Sequence, residues 1–558
     1  MRIIASAIAL FLSTLAVSAT DFETATEAVR NMGVGWNLGN TLEANNQQVH
    51  DVTQDSYWGQ QDLSSETCWG NYVTKPALLK MMKDAGFGAI RVPVTWYNHM
   101  DKDGNIDAAW MQRVHEVVDY VIGQGLYCIL NVHHDTGADS NTWKSWIKAD
   151  ATNYNTHKSR YEKLWKQIAE EFKDYDQHLL FEGYNEMLDA QSSWNYAQNN
   201  ASYTAINQYA QSFVDVVRAT GGNNAQRNLI VSTYAAAAGS GSWSTKLQDP
   251  LKNLNVPTGE SSHIIFEVHN YPTLVSNGST RTINSIKSEI DAWITNLKNH
   301  LVSKGAPVII GEWGTSDGNT DYDNRRALML QFADYMVSSM KQNDIATFYW
   351  MGLSESLYRL FPVFNQPDLV ETILKAYHGA DYNPMLPTMD NVGDFNVTCT
   401  ANYTQQWSEL NLLARTINAS DYTALQLQLD EQPATGSLQF KVYATKDHFQ
   451  DITATDNTLN ITTTMGTISR ITMQWKKNTA GTVKINNAYL IKKDGSKVPC
   501  EPSVFWGCSM NDFDITTGIH TPTFHRSDGK LYNLNGQQVR FPQKGIYITN
   551  GKKIIYSL

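Results

Sequence analysis

The sequence predicts an α/β protein: a (β/α)8 TIM barrel over residues 20–385, then a β-sandwich over 390–515 and a short β-rich segment over 525–558. Three observations carry this. From Gly33 to about His378, short apolar runs alternate with longer amphipathic stretches, and there are eight such runs. Polar residues collect directly after nearly every run, at the strand ends where barrels build their sites. After about Asp381 the helical period fades and apolar residues begin to alternate with polar ones. An open sheet binding a dinucleotide would want a Gly-rich loop after an early strand, and none is present.

The eight runs are Val34–Leu38, Ala89–Val94, Leu126–Val132, Leu179–Tyr184, Leu229–Val231, Ile264–Val268, Val308–Gly311 and Ala346–Trp350. Most are rich in β-branched or aromatic residues, as buried parallel strands are. Helices are expected at Lys75–Ala85, Ala108–Ile122, Tyr161–Phe172, Tyr203–Ala219 and Arg326–Lys341. In the second, Met111, Val114, Val117, Val118 and Val121 fall three and four apart and form one face. Beyond the barrel, Leu425–Leu429 and Ile471–Trp475 alternate with period two, as sandwich strands do. Asn535-Gly536 and Asn550-Gly551 mark hairpin turns in the last segment.

At 558 residues the chain is long enough for several domains, and 42% hydrophobic with 18% charged residues is ordinary for a globular protein. A formal charge of −11 disfavours nucleic acid and anionic membranes as partners, and neither is expected, since phosphate binding needs surplus Lys and Arg. It fits a neutral substrate. The aromatic load, 16 Trp and 27 Tyr, serves core packing and offers flat rings for sugar faces. Arg2, the apolar run Ile3–Val17 and the small residues Val17-Ser18-Ala19 read as a secretory signal cleaved near Ala19, so the protein is expected to be secreted or at the cell surface. No stretch is a membrane-spanning segment. Five cysteines (Cys68, Cys128, Cys399, Cys500, Cys508) make neither a disulfide framework nor a zinc pattern, and at most two pairs can form.

Chemistry concentrates at the strand ends. Arg91 ends the second strand, Asn131-Val132-His133-His134-Asp135 the third and Tyr184-Asn185-Glu186 the fourth. His269-Asn270-Tyr271 ends the sixth, Gly311-Glu312-Trp313-Gly314 the seventh and Trp350 the eighth. Carboxylates after strands four and seven would face each other across the barrel mouth. Retaining glycoside hydrolysis needs that pair about 5 to 5.5 Å apart, one as nucleophile and one as acid/base.

The segments Gly35–Leu42, Ile90–Trp96, Asn131–Asp135, Phe181–Glu186 and Gly311–Gly314 resemble those of family 5 glycoside hydrolases, clan A barrels that include many cellulases. The resemblance covers about two thirds of the chain. It implies Glu186 as acid/base and Glu312 as nucleophile, with Arg91 and Tyr271 keeping Glu312 ionised. It also implies Asn185 on the sugar 2-hydroxyl, His133 and His269 lining the cleaving subsite, and Trp350 under the sugar ring. The sequence departs from the common pattern at Met187, where proline is usual, and at Met351-Gly352.

Each residue has a plainer role to weigh. Glu186 and Glu312 follow apolar strands, where an unpaired charge is costly, so a solvated surface role fits poorly. Arg91 could be a structural ion pair as well as a functional one. His133, His134 and Asp135 suggest a metal, but neighbours on a strand point to opposite faces, so no metal or organic cofactor is expected and His134 is structural. Trp350 could be core. Trp58, Trp69, Trp143, Trp146 and Trp194 lie in expected loops as candidate sugar platforms, as do Trp407 and Trp475 in the sandwich, where a structural role is slightly favoured. Leu531–Gly536 and Lys544–Ile548 resemble short C-terminal sorting modules of secreted bacterial proteins. The expected activity is a secreted endo-β-1,4-glucanase acting on a β-linked polysaccharide, with nothing demanding more than a monomer. The alternatives are a β-mannanase, xyloglucanase or xylanase of the same family, or a non-catalytic glycan-binding surface protein.

Overall fold

The structure, a computed structural model, describes residues 22–45, 59, 61–139, 144–259, 262–276, 278–315, 322–393, 395–413, 415–445, 447–452, 456–461 and 466–517, and the backbone of three short strands beyond. The expected signal over 1–19, Trp58, Trp143 and both C-terminal Asn-Gly turns lie outside the described residues.

The eight strands are β1 (Val34–Asn37), β2 (Ala89–Val92), β3 (Tyr127–Asn131), β4 (Leu179–Glu182), β5 (Leu229–Ala237), β6 (Ile264–Asn270), β7 (Val308–Trp313) and β8 (Ala346–Tyr349). They close into a barrel in which every neighbouring pair runs parallel, with β8 against β1. Outward residues such as Val92, Leu130, Phe181 and Val268 pack under the helices, sharing one core with Val114, Val117, Val121, Ile168, Phe213, Ile290 and Phe332. Burying one face of each helix this way is what stabilises the shell, at about 1.5–3 kcal/mol per large apolar side chain.

The interior follows from period two along each strand. A lower layer of Ala89, Ile129, Leu180, Ile230, Ile265, Ile309, Ala346 and Phe348 plugs the barrel. Two residues further on, the inward positions become Asn37, Arg91, Asn131, Glu182, Ser232, Glu267 and Gly311, all buried. Along β2 to β6 the switch from apolar to polar groups occurs at one level. That level is the floor of the site.

Strand ends differ from expectation where side chains take over the ladder. β2 stops at Val92 rather than Val94 because the Val94 N–H donates to Asn131 Oδ1 at 3.0 Å. β5 runs on to Ala237 through a kink with Ala235 and Ala236 at φ 55° and 47°, held by the Ala235 N–H on the Met187 carbonyl at 3.0 Å. The helix expected from Tyr161 starts at Ala151, because Asp150 caps the N–H groups of Thr152 and Asn153. Ile283–His300 and Pro367–His378 add two more shell helices.

Beyond the barrel lie two main antiparallel sheets. One orders Thr458–Asn460, Tyr422–Leu429, Gly481–Lys492, Phe395–Tyr403 and Cys508–Thr517, with Lys497–Pro499 at its side. The other orders His448–Ile452, Leu438–Thr445, Arg470–Trp475, Glu409–Leu413 and Ser503–Trp506. Their inner faces meet through Leu410, Leu412, Phe440, Leu425, Ile471, Met473 and Ile485. Trp475 belongs to this core: it stacks on Tyr403 at 5.6 Å and donates Nε1–H to Thr479 O, whereas Trp407 stands half exposed. A separate apolar seam joins Leu360, Phe361 and Val363 of the barrel to Val392, Phe395, Tyr489 and Ile515, with a Lys75–Asp514 ion pair at its edge. All five cysteines are free thiols. Among the described residues no helix is long and apolar enough to cross a membrane.

Candidate active site

Arg91 organises the floor. It is fully buried on β2, and each of its nitrogens is engaged. Nε and Nη2 donate to the two oxygens of Glu182, each at 2.7 Å. Nη1 donates to Glu312 Oε1 at 2.7 Å and to Asn37 Oδ1 at 3.0 Å, and Nη2 also reaches Asn185 Oδ1 at 2.8 Å. Glu267 Oε1 lies 3.3 Å from Nε. Burial alone would discharge such a group, but Glu182, Glu267 and Glu312 outweigh it and hold the guanidinium charged. The planar fork of five N–H donors suits this role, since a point charge could not serve five acceptor oxygens. Structural and functional roles coexist in the one side chain.

Removing it would strand carboxylates in a dry interior. Arg91→Ala is therefore expected to lower stability by about 3–5 kcal/mol, read as an early denaturation midpoint in urea. An unchanged midpoint would contradict the floor described here.

Glu312 leaves β7 beside Arg91. Its Oε2 accepts the Tyr271 hydroxyl at 2.7 Å. His133 Nε2 sits 3.9 Å from Oε1. His133 is held by Asn131, whose Nδ2 approaches Nδ1 at 3.0 Å and also donates to Glu182. Burial, then His134 and Arg91, drive the His133 pKa well below its ordinary value, so its ring is neutral. Trp350 is half-buried and lies parallel to the His133 ring, 5.8 Å away with planes 6° apart. It lines the mouth rather than the core.

Glu186 stands opposite, after β4. One oxygen each of Glu186 and Glu312 and a His269 nitrogen lie within 4.8 Å of one another. Glu186 Oε1 is 3.0 Å from His269 Nδ1, and Glu312 Oε2 is 3.5 Å from the same nitrogen. Burial raises the Glu186 pKa, opposed by His269 and supported by Glu312. Burial opposes charge on His269, but Glu312 and the bonds to Glu186 and Glu267 raise its pKa to about 10. Asn185 spends Oδ1 on Arg91, which fixes the flip of its amide, and Nδ2 has no partner among the described residues.

All eight residues singled out from sequence thus share one mouth. Glu186, His269 and Glu312 could between them offer three ligand atoms to a cation, but Arg91, 2.7 Å from Glu312, sets a fixed positive charge against it. His133 and His134 do not splay to opposite faces as expected. β3 ends at Asn131, and the two rings meet edge to face at 4.5 Å. Asp135 is a staple: it accepts from the Trp96 and Tyr97 N–H groups at 2.9 and 3.0 Å and from Trp146 Nε1 at 2.6 Å. Trp146 is accordingly buried core and no sugar platform, a correction to the sequence expectation. Trp69 is half-buried with Nε1–H on Asn45 O, while Trp194 is exposed.

Sequence reasoning passed over Glu182, Glu267, Asn37 and Asn131, all buried around Arg91. Their signal is the inward period: Asn131, Glu182 and Glu267 each lie two residues beyond a lower-layer position, and Asn37 lies two beyond Gly35. It also passed over Trp243, 68% exposed on the loop after β5 and 6.0 Å from Tyr196.

The comparisons with known proteins give the family and the fold. The model of the cellulase family, glycosyl hydrolase family 5, matches residues 46–356. Endoglucanase B of Neocallimastix patriciarum is 34% identical over 362 residues, 63% of this chain and 70% of that protein. Among solved structures, a broad specificity endoglucanase from an uncultured bacterium is 55% identical with a TM-score of 0.61, covering 65% of this chain and 98% of that one. A glycoside hydrolase family 5 enzyme from Prevotella bryantii B14, in complex with a xyloglucan tetradecasaccharide, is 40% identical with a TM-score of 0.56, covering 65% and 100%. A closed parallel barrel, two facing glutamates and a family match over more than half the sequence lead to one conclusion: this chain belongs to glycoside hydrolase family 5 and is a glycoside hydrolase.

Proposed function

We propose that the protein is an exported, retaining endo-β-1,4-glucanase that cleaves cellulose-type or mixed-linkage β-glucan by double displacement. The observation that carries the reading is the approach of Glu186 and Glu312 oxygens to within 4.8 Å across the mouth. That separation is shorter than the roughly 6.5–9.5 Å at which inverting enzymes fit an attacking water beside the sugar, and it accords with the short spacing of retaining enzymes.

In the first step Glu312, held beside Arg91 and Tyr271, attacks the anomeric carbon while Glu186 protonates the departing oxygen. The Asn185 amide, its Oδ1 held by Arg91, donates through Nδ2 to the 2-hydroxyl as the oxocarbenium-like charge develops. Trp350 supplies an apolar ring for the sugar face, and Trp194 and Trp243 offer further rings on the rim. In the second step Glu186 acts as base on a water that releases the sugar from Glu312. Export rests on Arg2 and the apolar run to Ala19.

One observation favours a xyloglucan-cleaving variant of this reading: the similar Prevotella bryantii enzyme was solved with a xyloglucan oligosaccharide. The test is reducing-sugar release from carboxymethylcellulose, barley β-glucan, xyloglucan, glucomannan, mannan and xylan, with proton NMR of the first-formed anomer. β-Glucan cleavage with β-anomer product is expected. A first-formed α-anomer would overturn double displacement, and silence on every glucan would overturn the substrate class.

A further inference from the structure

We infer that Glu267 is a positioning residue that fixes the tautomer of His269, so that in the active resting form one working proton is shared between His269 Nδ1 and Glu186 Oε1. The inference rests on Glu186 being the acid/base and adds a residue that this role alone does not require. Glu267 and His269 are two apart on β6 and therefore point the same way into the barrel. Glu267 Oε1 lies 3.4 Å from His269 Nε2, and Oε2 accepts from Ser232 Oγ at 2.8 Å.

The available donors decide the tautomer. An ionised carboxylate only accepts, so a singly protonated His269 must carry its hydrogen on Nε2, toward Glu267. A bare Nε2 there would set lone pair against lone pair. Nδ1 then presents a lone pair to Glu186 Oε1, 3.0 Å away, and only a protonated Glu186 can meet it. If His269 is doubly protonated, Nδ1–H instead meets an ionised Glu186. Either way one proton occupies that gap. Among the described residues the other charged or titratable groups acting on the ring are Glu312 from β7 and His133 beyond β3, and neither is hydrogen-bonded to Nε2.

The proton balance closes over a cycle. Glu186 gives the shared proton to the glycosidic oxygen as the C–O bond breaks and Glu312 bonds to the anomeric carbon. The attacking water then returns a proton to Glu186 as the Glu312–carbon bond breaks. Gly311 fits the same design. A Cβ at that position would lie 1.5 Å from Glu267 Oε1, so the residue before the nucleophile leaves room for this carboxylate.

The test compares Glu267→Met, which removes the acceptor at similar volume, with Glu267→Gln, which keeps it. The Gln carbonyl can face Nε2 while its amide donates to Ser232 Oγ, whose own hydrogen goes to Tyr184 O, 3.0 Å away. Two substrates are read across pH: phenyl β-cellobioside, whose leaving group needs a proton, and 2,4-dinitrophenyl β-cellobioside, whose leaving group does not. Glu267→Met should lose about 100-fold or more in kcat/KM on the phenyl substrate and only a few-fold on the other. Glu267→Gln should stay within about 10-fold, with its alkaline limb moved to lower pH by roughly one unit, because a negative charge that holds the proton is gone. Gly311→Ala, which displaces the carboxylate without altering it, should follow the Met variant.

Equal losses on both substrates in a folded Met variant, or a wild-type profile, would overturn the inference. If the Met variant fails to fold, an unmoved alkaline limb in Glu267→Gln overturns it alone. Glu186→Ala on the same pair separates the two levels. Should it lose equally on both substrates, the acid/base role itself fails, whatever Glu267 does.

Discussion

Glu312→Ala should remove glucan hydrolysis by about four orders of magnitude or more while leaving a folded protein. The loss is large because no other group can form the glycosyl-enzyme. Arg91 Nη1 and the Tyr271 hydroxyl are both aimed at this one carboxylate, at 2.7 Å each. Those donors stay behind in the variant, and Arg91 keeps its bidentate pair with Glu182. The fold should therefore tolerate the change better than loss of Arg91. Added azide can enter the vacated space and attack the anomeric carbon from the same face, so an α-configured glycosyl azide should accumulate from an activated β-cellobioside. Residual turnover above a hundredth of wild type, with water as the nucleophile, would sink the assignment.

Glu186→Ala is expected to slow unactivated substrates by about 10² to 10⁴-fold. Here the sign of the pH dependence is fixed by the site. Burial raises the Glu186 pKa, so the acid form persists toward neutrality, and activity should fall as pH rises through that value and the proton is lost. Without Glu186 this alkaline limb should vanish for an activated substrate. Azide should restore turnover by replacing the water step, and its product should be the β-configured azide. The opposite configurations from the two alanine variants form a paired readout that a merely structural glutamate could not give. Measured by NMR, two azides of the same configuration would refute the division of roles.

The parts of the site that could be read from sequence share one property. Glu186 and Glu312 interrupt apolar texture directly after a run, where charge is conspicuous. Glu182 and Glu267 carry equal structural weight but sit inside the runs, where they pass for part of a strand. Only the alternation Leu180–Glu182 and Ile265–Glu267, taken with a closed barrel, turns them inward onto Arg91. The His133-His134 pair departs from the sequence expectation for a related reason. Strand alternation does not extend past Asn131, where pairing has already ended. Trp146 shows the limit for aromatics. A ring in a loop is read as exposed until a partner such as Asp135 is seen to hold its N–H. The helix beginning at Ala151 was equally hidden, because its first turns are polar and only the Asp150 cap announces them.

The central claim is that Glu312 becomes covalently bonded to the sugar. It is tested most directly by incubating the enzyme with 2,4-dinitrophenyl 2-deoxy-2-fluoro-β-cellobioside, whose fluorine slows the second step more than an activated leaving group slows the first. Mass spectrometry of the intact protein and of its peptides then locates the adduct. One fluorocellobiosyl group per chain is expected on the peptide containing Glu312, absent from Glu312→Ala. A label on any other residue, or an active enzyme that releases dinitrophenol from this reagent and retains no label, would contradict it.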